Sequence, residues 1–159
     1  MTDDRLCLTE KYMDVFPVLF CQPRLIIAHG TGWCTADYEL IISILKESRH
    51  LSLRGVFHAF SGSIETFREL QKLGDWYIGI GGVLTYKKAS IAETVKQIPL
   101  DRILLETDSP YLTPVPFRGK RNESSYIPYI AARLSEQTGR DIAEIAETTT
   151  ENARKLFRI

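Results

Sequence analysis

The sequence has no surplus of charge of either sign. Its 159 residues carry 20 Lys+Arg and 20 Asp+Glu, a formal net charge of zero. A protein that grips duplex nucleic acid through many phosphates usually carries a basic excess. Composition therefore gives no support for tight, non-specific DNA binding, and leaves room for a site that handles few phosphates through a local basic cluster. Cysteine is scarce and unpaired in pattern: Cys7, Cys21 and Cys34 form no C-x-x-C element, which argues against a zinc ribbon or a thioredoxin-like site and for free thiols in a reducing compartment. A zinc set of Cys21, His29 and Cys34 matches no familiar spacing. Long apolar runs are missing as well, since the early run 15–20 contains Pro17 and is too short to span a bilayer. The N-terminus is acidic where a signal peptide would be basic. The expectation is a cytoplasmic protein without membrane contact.

What is present is an alternation of short apolar runs with helical patterns from residue 25 onward. Arg24-Leu25-Ile26-Ile27-Ala28-His29 reads as a buried strand, followed by a helix over 36–49 with Leu40, Ile41, Ile44 and Leu45 on one face. A second strand covers 53–60; Ser63 caps the next helix and Gly74 stops it. A third strand covers 76–80, and Ser90 with Glu93 fits a capping box for a helix ending before Pro99. A fourth strand covers 102–106, and helices are expected over 125–137, 142–147 and 151–157. Four strands alternating with helices indicate parallel βαβ units, and their unbroken apolar character indicates cover on both faces. Residues 1–24 show no clear period and form an unassigned segment ahead of a 25–159 unit.

Three polar residues, His29, His58 and Asp108, lie at or just past the ends of apolar strands before turns. In parallel α/β folds, strand C-termini converge on the site. Each residue alone has a plain structural reading: a hydrogen-bonded histidine, or an aspartate forming a turn. Glu106 and Asp108 are two apart, so an extended backbone points both carboxylates to one side. Such a pair needs a balancing cation, either a divalent metal or a neighbour such as Arg118 or Arg121. The loop 113–123 combines prolines with Arg118, Lys120 and Arg121, and guanidinium groups suit two-point binding of phosphate. Lys87 and Lys88 would add to the same rim if the strand ends converge. Gly79-Ile80-Gly81-Gly82 lacks phosphate-loop spacing, and close backbone packing at a barrel mouth is the expectation there.

These residues fall into a specific resemblance. Phe57-His58-Ala59-Phe60-Ser61-Gly62 is similar to the H-C-F-S-G element of the TatD family of metal-dependent hydrolases and DNases, with Ala59 at the usual Cys. Leu105 through Pro114 resembles that family's E-T-D-x-P-Y-L-x-P signature. Arg118-Gly119-Lys120-Arg121-Asn122-Glu123 resembles its R-G-x-x-N-E-P, with Ser124 at the usual Pro. The resemblance implies an α/β fold of TIM type, amidohydrolase-like, here the last four βα units of a (β/α) barrel. It implies a divalent metal (Mg, Mn or Zn) held by His58, Asp108 and, on a looser match, His29. It also implies a catalytic role for Asp108 and Glu106, and substrate contacts from Arg118, Arg121 and Asn122. The implied activity is 3′–5′ deoxyribonuclease cleavage of single-stranded or frayed DNA.

Other family features have no counterpart. The only histidines are His29, His50 and His58, so no H-x-H occurs, and the metal-bridging Glu of the resemblance is unmatched. The length also falls short of the about 250 residues of a complete barrel. The reading is of a truncated C-terminal half with a weakly held metal, exposed sheet edges and an exposed inner apolar face, prone to self-association. The competing readings are a non-catalytic half-barrel that serves as an interaction module, and an amidohydrolase-like enzyme acting on a small molecule.

Overall fold

The computed structural model describes residues 18–22, 25–29 and 35–159, with side chains from Tyr38 onward. Five strands form one sheet in the order β1-β2-β3-β4-β5. They are β1 (Val18–Gln22), β2 (Leu25–His29), β3 (Arg54–His58), β4 (Asp75–Ile80) and β5 (Ile103–Leu105). β1 runs antiparallel to β2, and the four strands from β2 to β5 are parallel. Helices α1 (Thr35–Glu47), α2 (Ile64–Gln71), α3 (Ile91–Val95), α4 (Ile127–Thr138) and α5 (Ile142–Phe157) connect and follow them. The fold is thus α/β with neighbouring parallel strands in chain order, the arrangement of successive βα units of a barrel. Among the described residues β1 and β5 do not pair, so the sheet is open. No helix among these residues is long and apolar enough to cross a membrane.

Strand alternation sorts the side chains between two faces. Phe57, Trp76, Ile78, Ile80 and Ile103 pack against Ile41 and Leu45 of α1, Phe67 and Leu70 of α2, and the buried faces of α3 and α4. Each fully buried aliphatic or aromatic side chain there contributes about 1.5–3 kcal/mol. The other face carries Val56, Tyr77 and Leu104, packed with Leu156, Ala153 and Phe157 of α5. On β3, β4 and β5 this corrects the expectation of an exposed inner apolar face, because Val56, Tyr77 and Leu104 are at most 5% exposed. Asn152 of α5 fastens the same region by donating its amide to Leu100 O at 2.9 Å and Ile103 O at 2.8 Å.

Local chemistry explains most boundaries. Ser63 accepts a hydrogen bond from Thr66 N and caps α2 as expected. The capping box at Ser90 does not form: Ser90 itself has helical angles and makes no side-chain cap bond. The expected helices over 142–147 and 151–157 are one helix, α5, capped by Asp141 through Ala143 N. The β3 strand ends at His58 rather than 60, since Ala59 takes φ +51° and turns the chain. Residues 18–22 form a strand that showed no period in the sequence.

Candidate active site at the strand ends

His58 closes β3, and its imidazole sits between two carboxylates. Nδ1 donates to Glu106 Oε2 at 2.8 Å and Nε2 donates to Asp108 Oδ1 at 2.9 Å. The three side chains are 25%, 15% and 14% exposed, so water screens them little. The hydrogen bond to Asp108, then that to Glu106, pushes the His58 pKa up from 6.5 to about 10, against the opposing effect of burial. The balancing cation for the carboxylate pair is therefore the imidazolium in this arrangement, not Arg118 or Arg121.

β4 makes room for this cluster. A Cβ on Gly79 would lie 1.8 Å from Glu106 Oε2, inside the volume the carboxylate occupies. The glycine is there for close approach, which bears out the expected tight backbone packing. A Cβ on Gly81 would lie 3.3 Å from Asp108 Oδ2, and one on Gly82 would lie 2.2 Å from Leu112 O. Glu106 N donates to Ile80 O at 3.1 Å, which continues the β4–β5 ladder one residue past β5. The Glu106 carboxylate also accepts from Ala59 N, so the left-handed turn after His58 is tied to the group that orients His58. Left-handed geometry costs a non-glycine residue about 1–2 kcal/mol, and this hydrogen bond offsets part of it.

Among the described residues, the second oxygen of Asp108, the buried Oδ2, meets no hydrogen-bond donor. A buried carboxylate oxygen without a donor is costly, and a cation there would satisfy it. His58 Nε2 and both oxygens of Asp108 suit a divalent metal. Among the described residues, no group of three or more His, Cys, Asp or Glu side chains is placed to hold one. His29 pairs with His58 in the β2–β3 register, so its backbone lies at the same level of the sheet; its side chain lies outside the described part.

The loop after β5 is held by backbone hydrogen bonds and by two buried polar side chains, with cis peptides at Ser109–Pro110 and Val115–Pro116. Asn122 is 2% exposed. Its amide donates to Tyr111 O at 2.6 Å and accepts from Glu123 N at 2.9 Å, while its own N–H donates to Pro110 O at 3.0 Å. Its side chain is thus committed to shaping the loop. Thr113 Oγ1 donates to Lys120 O at 2.6 Å. Arg118 and Arg121 are exposed, and the Arg118 guanidinium lies over the Tyr86 ring, 4.0 Å from its centroid. Burial raises the Tyr86 phenol pKa, Arg118 lowers it and Asp108 raises it, which puts Tyr86 within electrostatic reach of Asp108. The sequence reading did not single out Tyr86 or the turn at Ala59. An aromatic six residues past a glycine-rich strand end was the available signal for Tyr86.

The chain is similar to several known proteins. A family model described as TatD related DNase matches residues 25–158. YabD of Bacillus subtilis (strain 168), an uncharacterized metal-dependent hydrolase, is 49% identical over 122 residues, 76% of this chain and 48% of YabD. YcfH of Escherichia coli (strain K12), similarly described, is 39% identical over 119 residues, 74% of this chain and 44% of its own length. The chain spans about half the length of the curated relatives it matches. The crystal structure of YjjV, a TatD homolog from Escherichia coli K12, superposes with a TM-score of 0.75 at 28% identity, covering 99% of this chain and 55% of YjjV. A TatD family hydrolase from Entamoeba histolytica shares the fold with a TM-score of 0.69 at 23% identity, over 94% of this chain and 53% of its own. The family model over residues 25–158, the curated relatives and the shared fold lead to one conclusion: the chain belongs to the TatD-related DNase family.

Proposed function

We propose that this chain supplies one side of a metal-dependent phosphodiesterase site of the 3′–5′ deoxyribonuclease type, acting on single-stranded or frayed DNA. The observation that carries the reading is the His58–Asp108 pair at the strand ends, with Asp108 Oδ2 buried and without a donor among the described residues. His58, Asp108 and His29 are the residues that would hold a divalent ion (Mg, Mn or Zn). Such an ion lowers the pKa of water and neutralises charge on a phosphoryl group. Glu106 acts as a positioning residue, since its carboxylate fixes the His58 ring through Nδ1 and the following turn through Ala59 N; carboxylate partners of this kind are worth about 10–100-fold in metal affinity or activity. In this reading Asp108 takes the proton from an attacking water. Arg118 and Arg121 supply exposed charge for the phosphate, and Asn122 keeps their loop in shape.

A His58 imidazolium that balances Glu106 and Asp108 without any metal favours a second reading, a non-catalytic half-barrel that serves as an interaction module. Nucleotide release from single-stranded DNA, with Mg²⁺ or Mn²⁺, separates the two. The hydrolytic reading expects metal-stimulated release by the wild type and background rates for His58→Ala and Asp108→Asn. Equal background rates in all three would overturn the deoxyribonuclease reading.

A further inference from the structure

The loop after β5 and the start of α4 carry aromatic rings that the site chemistry does not use. The Phe117 and Tyr126 rings stack at 4.4 Å with an interplanar angle of 8°. Tyr129 stands edge-on to both, at 4.9 Å and 6.1 Å. Lys120 Nζ lies 5.7 Å from the Phe117 centroid, and Arg118 covers Tyr86. None of these rings belongs to the buried core clusters. Tyr129 is 43% exposed, and Arg118, Lys120 and Arg121 are all exposed. Among the described residues these three cations have no carboxylate within ion-pairing distance, whereas Arg133 and Arg140 on the neighbouring helical surface are each paired. The patch lies beside the site, because Tyr86 donates its hydroxyl to Thr113 O at 3.2 Å and follows the turn that begins at Gly81. A ring cluster flanked by unpaired cations is complementary to a ligand with flat apolar faces and repeated negative charge. A protein segment without regularly spaced carboxylates would match the rings and leave the charges unanswered.

We infer that Phe117, Tyr126 and Tyr129, with Lys120 and Arg118, form a binding strip for single-stranded nucleic acid beside the His58–Asp108 pair. The exposed Tyr129 ring stacks on a base, and Lys120 and Arg118 neutralise backbone phosphates. Base–aromatic stacking tolerates any sequence, since every base has a π-face, and cations along the strand add a salt-dependent part. The inference rests on the phosphodiester reading for the strand's direction toward the site, but binding alone can be measured without turnover.

The test is fluorescence anisotropy of a labelled oligothymidylate with the full chain in EDTA, at several salt concentrations. Tyr129→Ala should weaken binding about fivefold or more, the lower end for loss of one stacked base, and Tyr129→Phe should restore it. Lys120→Ala should lower the slope of log affinity against log salt by about 0.7. An abasic oligomer should bind the wild type more weakly, with Tyr129→Ala costing nothing further. Equal affinity for abasic and thymidylate strands would overturn the strip, as would unchanged binding in both alanine variants. A concentration-dependent rise in solution mass that Tyr129→Ala abolishes, without oligonucleotide binding, would assign the patch to a second copy instead. Metal-stimulated hydrolysis of the base-free diester bis(4-nitrophenyl) phosphate by the wild type reads the site separately. Base-dependent binding without that hydrolysis counts against the hydrolytic reading alone; hydrolysis without base-dependent binding counts against the strip alone.

Discussion

On the helix-covered face of the sheet, Phe57, Trp76, Ile78, Ile80 and Ile103 are at most 1% exposed and meet almost only carbon. One residue further along β3, and just past β5, the same sheet carries an imidazole between two carboxylates, with one carboxylate oxygen lacking a donor among the described residues. The first region lowers the free energy by removing apolar surface from water, and it fixes the strand positions. The second spends some of that stability on charge held in place at partial burial, which is how a fold prepares a site for a ligand that balances the charge. The strands are shared, so damage to the packed face should appear in both regions, while damage at the strand ends should stay local.

Phe57→Ala should break the comparison most severely. It removes a ring packed edge-on against Trp76 at 5.2 Å and should cost about 3–5 kcal/mol, out of a typical total of about 5–15 kcal/mol, read by urea unfolding. The His58 linkage comes next. With its pKa raised from 6.5 to about 10 in the folded chain, His58 contributes stability that is fully present below about pH 6.5 and lost as pH rises through about 10. Denaturation curves across that window should fall more steeply for the wild type than for His58→Gln. Parallel curves would contradict the placement of the imidazole. Gly79→Ala should displace Glu106, cost about 1–3 kcal/mol, and lower metal affinity by about 10–100-fold while the packed face stays intact by near-ultraviolet dichroism. Asn122→Ala is the mildest, about 1 kcal/mol from lost loop hydrogen bonds, with the loop becoming more open to limited proteolysis.

Much of this was readable from residue order. The four parallel strands follow from apolar runs, and His58 and Asp108 stood out as polar residues at strand ends. Glu106 was legible as Asp108's neighbour on the same side, though its partner, the His58 ring, required the fold. Gly79 could be read as a packing glycine, but not as the seat of Glu106, because that contact joins residues on different strands. Thr148, Thr149 and Thr150, which lie between the two expected helices, are weak helix formers. The helix runs through them, and Thr149 and Thr150 donate their hydroxyls to Ile145 O at 2.8 Å and Ala146 O at 2.7 Å. β1 was missed because it contacts the sheet through β2 alone, and an antiparallel edge with a register shift between Phe20 and Gln22 carries little period.

In the proposed site His58 is a protonated ring held between Glu106 and Asp108, and it would give up its Nε2 proton on binding a metal. ¹⁵N-resolved NMR of the His58 ring, across pH and with added Zn²⁺, tests this directly. Without metal, both ring nitrogens should stay protonated well above pH 7. With Zn²⁺, the Nε2 signal alone should move to a metal-bound position as a proton is released, and Asp108→Asn should weaken that response. A ring that is neutral at pH 7 and unmoved by Zn²⁺ would contradict the account.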